Sequence, residues 1–294
     1  MSIGFHCETL TDIKDRVLKN QLSYVELNHL DYRELPAIRN SVECYGLSVG
    51  VHCPLVLPEW FSFPVTASFL SGDAPEELRK LNLRLIAETL QESRALAAEY
   101  VVVHFPKPAL ESEISPGAHQ CMRIAWDSAE QLAGLADQYK IKICIEGFGN
   151  PPLLSIRFLM EVLNKYPQLS YCFDVGHIHL ARIRGVLDYF EFLKELAPRI
   201  GTIHLWNTRG PQDYATFSHL PVHPSQKPSA GWADILRTLR IVIEANPRAV
   251  VIFEHGTKFP EQFTLDYQEG VKWVKRILGE LHAAPTTSPR LPKG

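Results

Sequence analysis

The stretch Leu169-Ser170-Tyr171-Cys172-Phe173-Asp174-Val175-Gly176-His177 decides how the chain is organised. Its apolar, aromatic-rich part reads as a buried strand. It finishes on a carboxylate, a glycine and an imidazole three residues after the carboxylate. Burying such polar groups costs free energy unless partners satisfy them. If both sit where the strand leaves the sheet, they can point at one spot, with Gly176 letting the backbone turn between them.

Other strand candidates end in the same way. Working outward, they are 2–6, 24–29, 46–52, 100–104, 141–147, 200–207 and 249–256. Helical patterns separate them, at 10–18, 35–42, 75–98, 117–139, 154–166, 186–196, 232–245 and 265–282, with Asp73 as a cap and Pro75 in the first turn of the third. Strand and helix alternate at about 30-residue spacing, the pattern of a parallel sheet closed with a helix after every strand. The expected fold is therefore α/β, a (β/α)8 TIM barrel. An open doubly wound sheet would carry a glycine-rich phosphate turn after an early strand, and the sequence has none. Residues 1–282 read as a single barrel domain and 283–294, with three prolines and little to bury, as a disordered tail.

Composition narrows the function classes. With 46% hydrophobic residues in 294, the chain can bury a large core. A formal charge of -3 gives no general attraction to phosphate backbones or anionic membranes, so neither nucleic acid nor a membrane is the expected partner. No apolar run reaches the ~18 residues of a membrane span, and no basic-then-apolar leader opens the chain. The six cysteines form no CxxC pair and read as reduced core residues, which together with the missing leader points to the cytoplasm. The sequence leaves the oligomeric state open.

In a barrel of this kind the C-terminal strand ends form the active face. Here the strands end on His52, His104, Glu146, Asp174 with His177, His204 and Glu254. One strand-end histidine is ordinarily a hydrogen-bonded loop residue, but seven ligand-capable groups on one rim are not. Carboxylates and imidazoles crowded in a low-dielectric mouth need a counter-charge, and a divalent cation supplies it. The oxygen and nitrogen donors suit Mn, Mg, Co, Fe(II) or Zn without choosing among them. The irregular segment 208–230 reads either as a rigid surface loop or as a lid that brings His219 or His223 to the mouth. Trp60, Phe61 and Trp206 are candidates for an aromatic wall against a sugar ring.

These residues resemble the xylose-isomerase-like superfamily, which includes sugar and sugar-phosphate isomerases and epimerases and endonuclease IV. The specific parts are Ile145-Glu146-Gly147, Phe173-Asp174-Val175-Gly176-His177, Ile203-His204-Leu205 and Phe253-Glu254. The resemblance to the single-metal epimerases implies that Glu146, Asp174, His204 and Glu254 bind one Mn-like ion and that Glu146 and Glu254 also move the proton. It further implies that His177 contacts substrate, and it brings Arg209 close to a substrate-binding arginine. Resemblance to the endonuclease IV branch implies up to three ions instead. His52 and His104 would share Glu146 at the first, and His177 would join the third. That third site uses an Asp-x-His; Phe217-Ser218-His219 stands here, so the carboxylate is lost, and His223 or Asp213 are the substitutes at hand.

Two chemistries follow. An isomerase or epimerase of a sugar or sugar phosphate removes a carbon-bound proton through Glu146 or Glu254, with the ion stabilising the enediolate. This is the working expectation. The alternative is a multinuclear phosphoester hydrolase, and a metal-free ligand-binding barrel is a third possibility. Geometry separates the first two: two imidazole nitrogens within about 4–5 Å of each other and of a Glu146 oxygen can share an ion at ~2.1 Å. That cluster, with His219 or His223 beside His177, counts for the hydrolase.

Overall fold

The computed structural model describes residues 2–61, 76–105, 118–147 and 153–283. Short runs such as Tyr100-Val101-Val102-Val103-His104 are apolar on both faces and buried almost throughout, as parallel strands covered on both sides must be. Eight of them form the sheet: β1 Ile3–Cys7, β2 Tyr24–Leu27, β3 Ser48–His52, β4 Tyr100–His104, β5 Lys142–Glu146, β6 Leu169–Asp174, β7 Ile200–Leu205 and β8 Val250–Phe253. Each pairs in parallel with its sequence neighbours, and β8 returns to β1. The fold is a closed (β/α)8 TIM barrel, as the alternation predicts.

The outer layer is helical: α1 Leu10–Asp12 running into a π-helical stretch Ile13–Leu18, α2 Leu35–Tyr45, α3 Glu76–Ala95, α4 Ala118–Tyr139, α5 Ile156–Lys165, α6 Val175–Ile183, α7 Tyr189–Leu196, α8 Pro211–Phe217, α9 Ile235–Ala245 and α10 Tyr267–Ala283. Apolar residues spaced for one helical face seat these helices; α9 buries Ile235, Leu239, Val242 and Ile243. Ser155, Asp188 and Asp234 cap α5, α7 and α9 by accepting backbone N–H groups of the first turn. Within the barrel, Tyr24, Tyr100, Val102, Cys144, Cys172, Val250 and Ile252 pack as a separate small cluster below the mouth.

Two helices depart from the sequence expectation. The strand reading ran to His177, but β6 stops at Asp174 because its side chain accepts the His177 N–H and starts α6 at once. The segment 208–230 is not wholly irregular: Pro211 suits the first turn of α8. Among the cysteines, Cys44 is an exposed residue on α2 rather than a core one, whereas Cys7, Cys53, Cys144 and Cys172 are buried and unbridged. Asp73, Pro75 and the tail 284–294 lie outside the described residues. Among the described residues no helix is long and apolar enough to cross a membrane.

Candidate metal centre

Strand register builds the centre. Parallel pairing sets His104 opposite Glu146 and Asp174 opposite His204, so residues distant in sequence share one level of the barrel. Glu254 directly follows β8 and joins them. All converge on Oε2 of Glu146, which lies 3.4 Å from His52 Nε2, 3.5 Å from His104 Nε2 and 3.6 Å from His204 Nδ1. Glu254 Oε2 is 3.3 Å from the same His204 Nδ1. Among the described residues, Glu146 Oε2, Glu254 Oε2 and both ring nitrogens of His204 are buried without a hydrogen-bond partner. Two donors bonded to one ion at ~2.1 Å stand about 3.4 Å apart at a tetrahedral angle. The spacings here are ones that ligands of a common ion could have.

Four candidate donor groups are found among the described residues; three contain Glu146, one of them with Cys172 and His204, and the fourth joins His52 to His204 and Glu254. Two of those that contain Glu146 stand out. One is His52, His104 and Glu146; the other is Glu146, Asp174, His204 and Glu254, and in each the candidate atoms lie within 4.8 Å of one another. Asp174 is oriented from two sides. Its Oδ1 accepts the His177 backbone N–H at 2.6 Å, and its Oδ2 accepts the indole N–H of Trp206 at 2.8 Å. Gly176 makes this approach possible, since a Cβ there would stand 2.2 Å from the Trp206 ring.

The electrostatics call for a cation. Burial pushes the Asp174 carboxyl up, and the charges of Glu254 and Glu146 push it the same way, well above the usual carboxylate range. Burial also works to raise Glu146, but the charge of His204 and contacts with His104, His204 and His52 outweigh it and hold this carboxyl well below that range. Burial opposes the charged form of His204, yet Cys172, Glu26, Glu254 and Glu146 raise it well above an ordinary imidazole. Glu146 and Glu254 are thus held ionised chiefly by His204, while Asp174 is pushed toward its neutral form. A divalent ion would relieve the same imbalance, and the oxygen and nitrogen donors fit one.

The other sequence-predicted residues divide. His177 and His219 stand side by side, ring centroids 5.6 Å apart, and His219 stacks flat on Trp206 at 4.1 Å. The loop brings His219 in by seating its Nδ1 2.9 Å from the Glu254 carbonyl oxygen. Neither belongs to a group of three donors among the described residues, and Phe217 occupies the position where the endonuclease IV pattern has a carboxylate. His223 does not reach the centre: its ring spans Ser225 Oγ at 2.7 Å and Glu269 Oε2 at 2.9 Å, which ties the loop to α10 instead. Asp213 cannot stand in for the lost carboxylate either, because Arg209 takes both its oxygens, at 2.6 and 2.9 Å. The Arg209 fork is held there beside Trp232 and Phe263. Trp60 docks on α3 through Glu88, with Arg84 over its ring, and Trp206 is fully buried under His219. Neither forms the expected open aromatic wall.

The sequence reading missed Glu26 and His6. Glu26 ends no strand, yet it is fully buried with Oε1 3.0 Å from His204 Nε2. A carboxylate inside the otherwise apolar run Tyr24–Leu27 was the available signal. Cys172 was also passed over, although its sulfur completes a three-donor group with Glu146 and His204. A cavity of about 650 Å³ opens beside the centre, walled by His6, Arg16, His219, Glu254, His255 and Lys258 among others.

A family model described as xylose isomerase-like TIM barrel matches residues 15–277. Similar solved structures include a D-tagatose 3-epimerase-like protein, at 20% identity and TM-score 0.71 over 96% of this chain and 98% of that one. IolI protein with a bound zinc atom gives 16% identity and TM-score 0.63 over 96% and 98% of the two chains. Endonuclease IV from Thermus thermophilus gives 17% and 0.58 over 95% and 100%. At these identities the likeness is one of fold. No curated protein matches the chain in sequence. The family match spans most of the sequence, and the chain belongs to the xylose isomerase-like TIM barrel family.

Proposed function

We propose that the chain is a divalent-metal-dependent hydrolase of a small phosphoester, such as a sugar phosphate, whose centre holds two ions sharing Glu146. One observation carries this: three imidazole nitrogens from different strands converge on a single unpartnered carboxylate oxygen, Glu146 Oε2. His52, His104 and Glu146 would hold one ion, and Glu146, Asp174, His204 and Glu254 the other. When bound, two divalent ions clamp phosphoryl oxygens and acidify water. His219 also stands beside His177, which the hydrolase expectation required. The third site lacks its carboxylate, which limits the count to two.

The chain's own groups do the rest. Glu254 lines the cavity and is placed to hold the proton of an attacking water. His177, on the first turn of α6, is placed to bind a substrate oxygen. The cavity suits a small molecule, and the net charge of -3 argues against a nucleic-acid substrate.

The isomerase or epimerase remains a second reading, and a different observation favours it. Glu146 and Glu254 flank His204 Nδ1 at 3.6 and 3.3 Å, a pair of carboxylates set to exchange a proton across a bound carbon. One assay separates the two. Metal-loaded protein is incubated with sugar phosphates in D2O, and both inorganic phosphate and carbon-bound deuterium are followed. Phosphate release without deuterium incorporation is expected; deuterium at carbon with the phosphate retained would establish the isomerase instead.

A further inference from the structure

We propose that Glu26 is the positioning residue of the centre, fixing the tautomer and the ring orientation of His204 so that Nδ1 presents a lone pair to the ion. The inference rests on the metal-centre reading above and extends it to a residue outside every donor group. A neutral imidazole carries one N–H and one lone pair, and only the nitrogen without the proton can bind a metal. His204 Nδ1 is the nitrogen that faces the donors Glu254 Oε2 and Glu146 Oε2, at 3.3 and 3.6 Å. Its proton must therefore reside on Nε2, and the carboxylate nearest to it is Glu26, in ion-pair contact at 3.0 Å rather than in an aligned hydrogen bond.

The surroundings of Glu26 are built for this. It is fully buried on β2, and Tyr100 donates its hydroxyl to Oε2 at 2.7 Å, leaving Oε1 toward His204. His6 Nδ1 stands 3.4 Å from that same Oε1 on the other side. Gly50, between the two strands, clears the path: a Cβ there would lie 2.4 Å from the Tyr100 ring. A buried carboxylate is costly without a task, and pinning the far side of a ligand imidazole is a known use of one.

The test uses full-length protein stripped of metal with a chelator, then titrated with Zn(II) against a chromophoric competitor. In the zinc-loaded parent, nitrogen-15 NMR of histidine-labelled protein should show His204 bound to the metal through Nδ1 with its proton on Nε2. E26Q, read alongside near-UV circular dichroism, should lose about 10–100-fold in affinity at one site. In an H204A background the same substitution should change the remaining affinity less than about threefold, because its effect runs through that ring. Zinc bound through Nε2 of His204, with the proton on Nδ1, overturns the proposal without any variant. So does parent-like zinc affinity in E26Q, or an equal loss in both backgrounds. Failure of the parent itself to take up zinc would instead sink the metal-centre reading.

Discussion

Trp206 donates its indole N–H to Asp174 Oδ2 at 2.8 Å, while Oδ1 of the same carboxylate caps α6 through the His177 N–H at 2.6 Å. One side chain thus ends a strand, starts a helix and aims a lone pair at the centre. Ligand carboxylates are tuned by such outer partners, whose loss typically costs ~10–100-fold in metal affinity. Trp206→Phe keeps most of the ring and removes the donor. Zinc titration should show affinity falling by roughly tenfold with the circular dichroism of the fold unchanged. Undiminished affinity would mean that Trp206 serves only as packing.

Glu254→Gln removes a charge from the centre and the group placed to hold a proton, with little change in volume. Turnover should drop by about 10²-fold or more, the scale of a lost general base, while the variant melts near the parent. A loss of only a few-fold with metal still bound would show that Glu254 is neither ligand nor base.

His104→Ala addresses the overlap of the two donor groups. Without this imidazole, His52 and Glu146 alone are too few to hold an ion. Metal content should fall by about one per chain, and phosphoester cleavage with it. Unchanged stoichiometry with weakened substrate binding is the behaviour of a substrate contact in a single-metal isomerase.

Much of this is legible in the sequence. The barrel followed from the alternation of strand and helix patterns, and the principal donors from being last on their strands, since in a parallel barrel the rim is written at strand ends. Residues 26, 209 and 223 were not legible for different reasons. Glu26 lies one register level below the rim, where only the inward direction of its side chain reveals its role. Arg209 and His223 sit in a loop whose path depends on long-range amide contacts. Asn207 and Gln226 hydrogen-bond each other at 3.0 Å and hold the loop backbone at Thr208, Ala233 and Pro221. Asp213 and Glu269 then take the two side chains that the family resemblance and the lid reading had put near the mouth.

Acid should loosen the fold through buried neutral histidines. His179 is 2% exposed, and its Nε2 donates to the Gly231 carbonyl at 2.9 Å. Burial pushes its pKa down from 6.5 to about 4, with Arg182 acting in the same direction against the carbonyl contact. The unfolded chain therefore takes up the proton first as pH falls. The stability contributed is complete above pH 6.5 and is lost between there and about pH 4. Each such histidine contributes at most ~1.4 kcal/mol per pH unit in that window. Urea midpoints of metal-free protein at pH 7.5 and 5.5 should differ less in His179→Gln than in the parent. Equal acid sensitivity of the two would contradict the assignment.

The central claim is a centre in which two ions share Glu146, and metal content is its most direct test. Protein purified without chelators, or reloaded with Zn(II) and freed of excess, is assayed by mass spectrometry of the metal against protein concentration. About two ions per chain are predicted, as two donor groups joined by one carboxylate require. A content of about one, unchanged in His52→Ala and His104→Ala, would contradict the account.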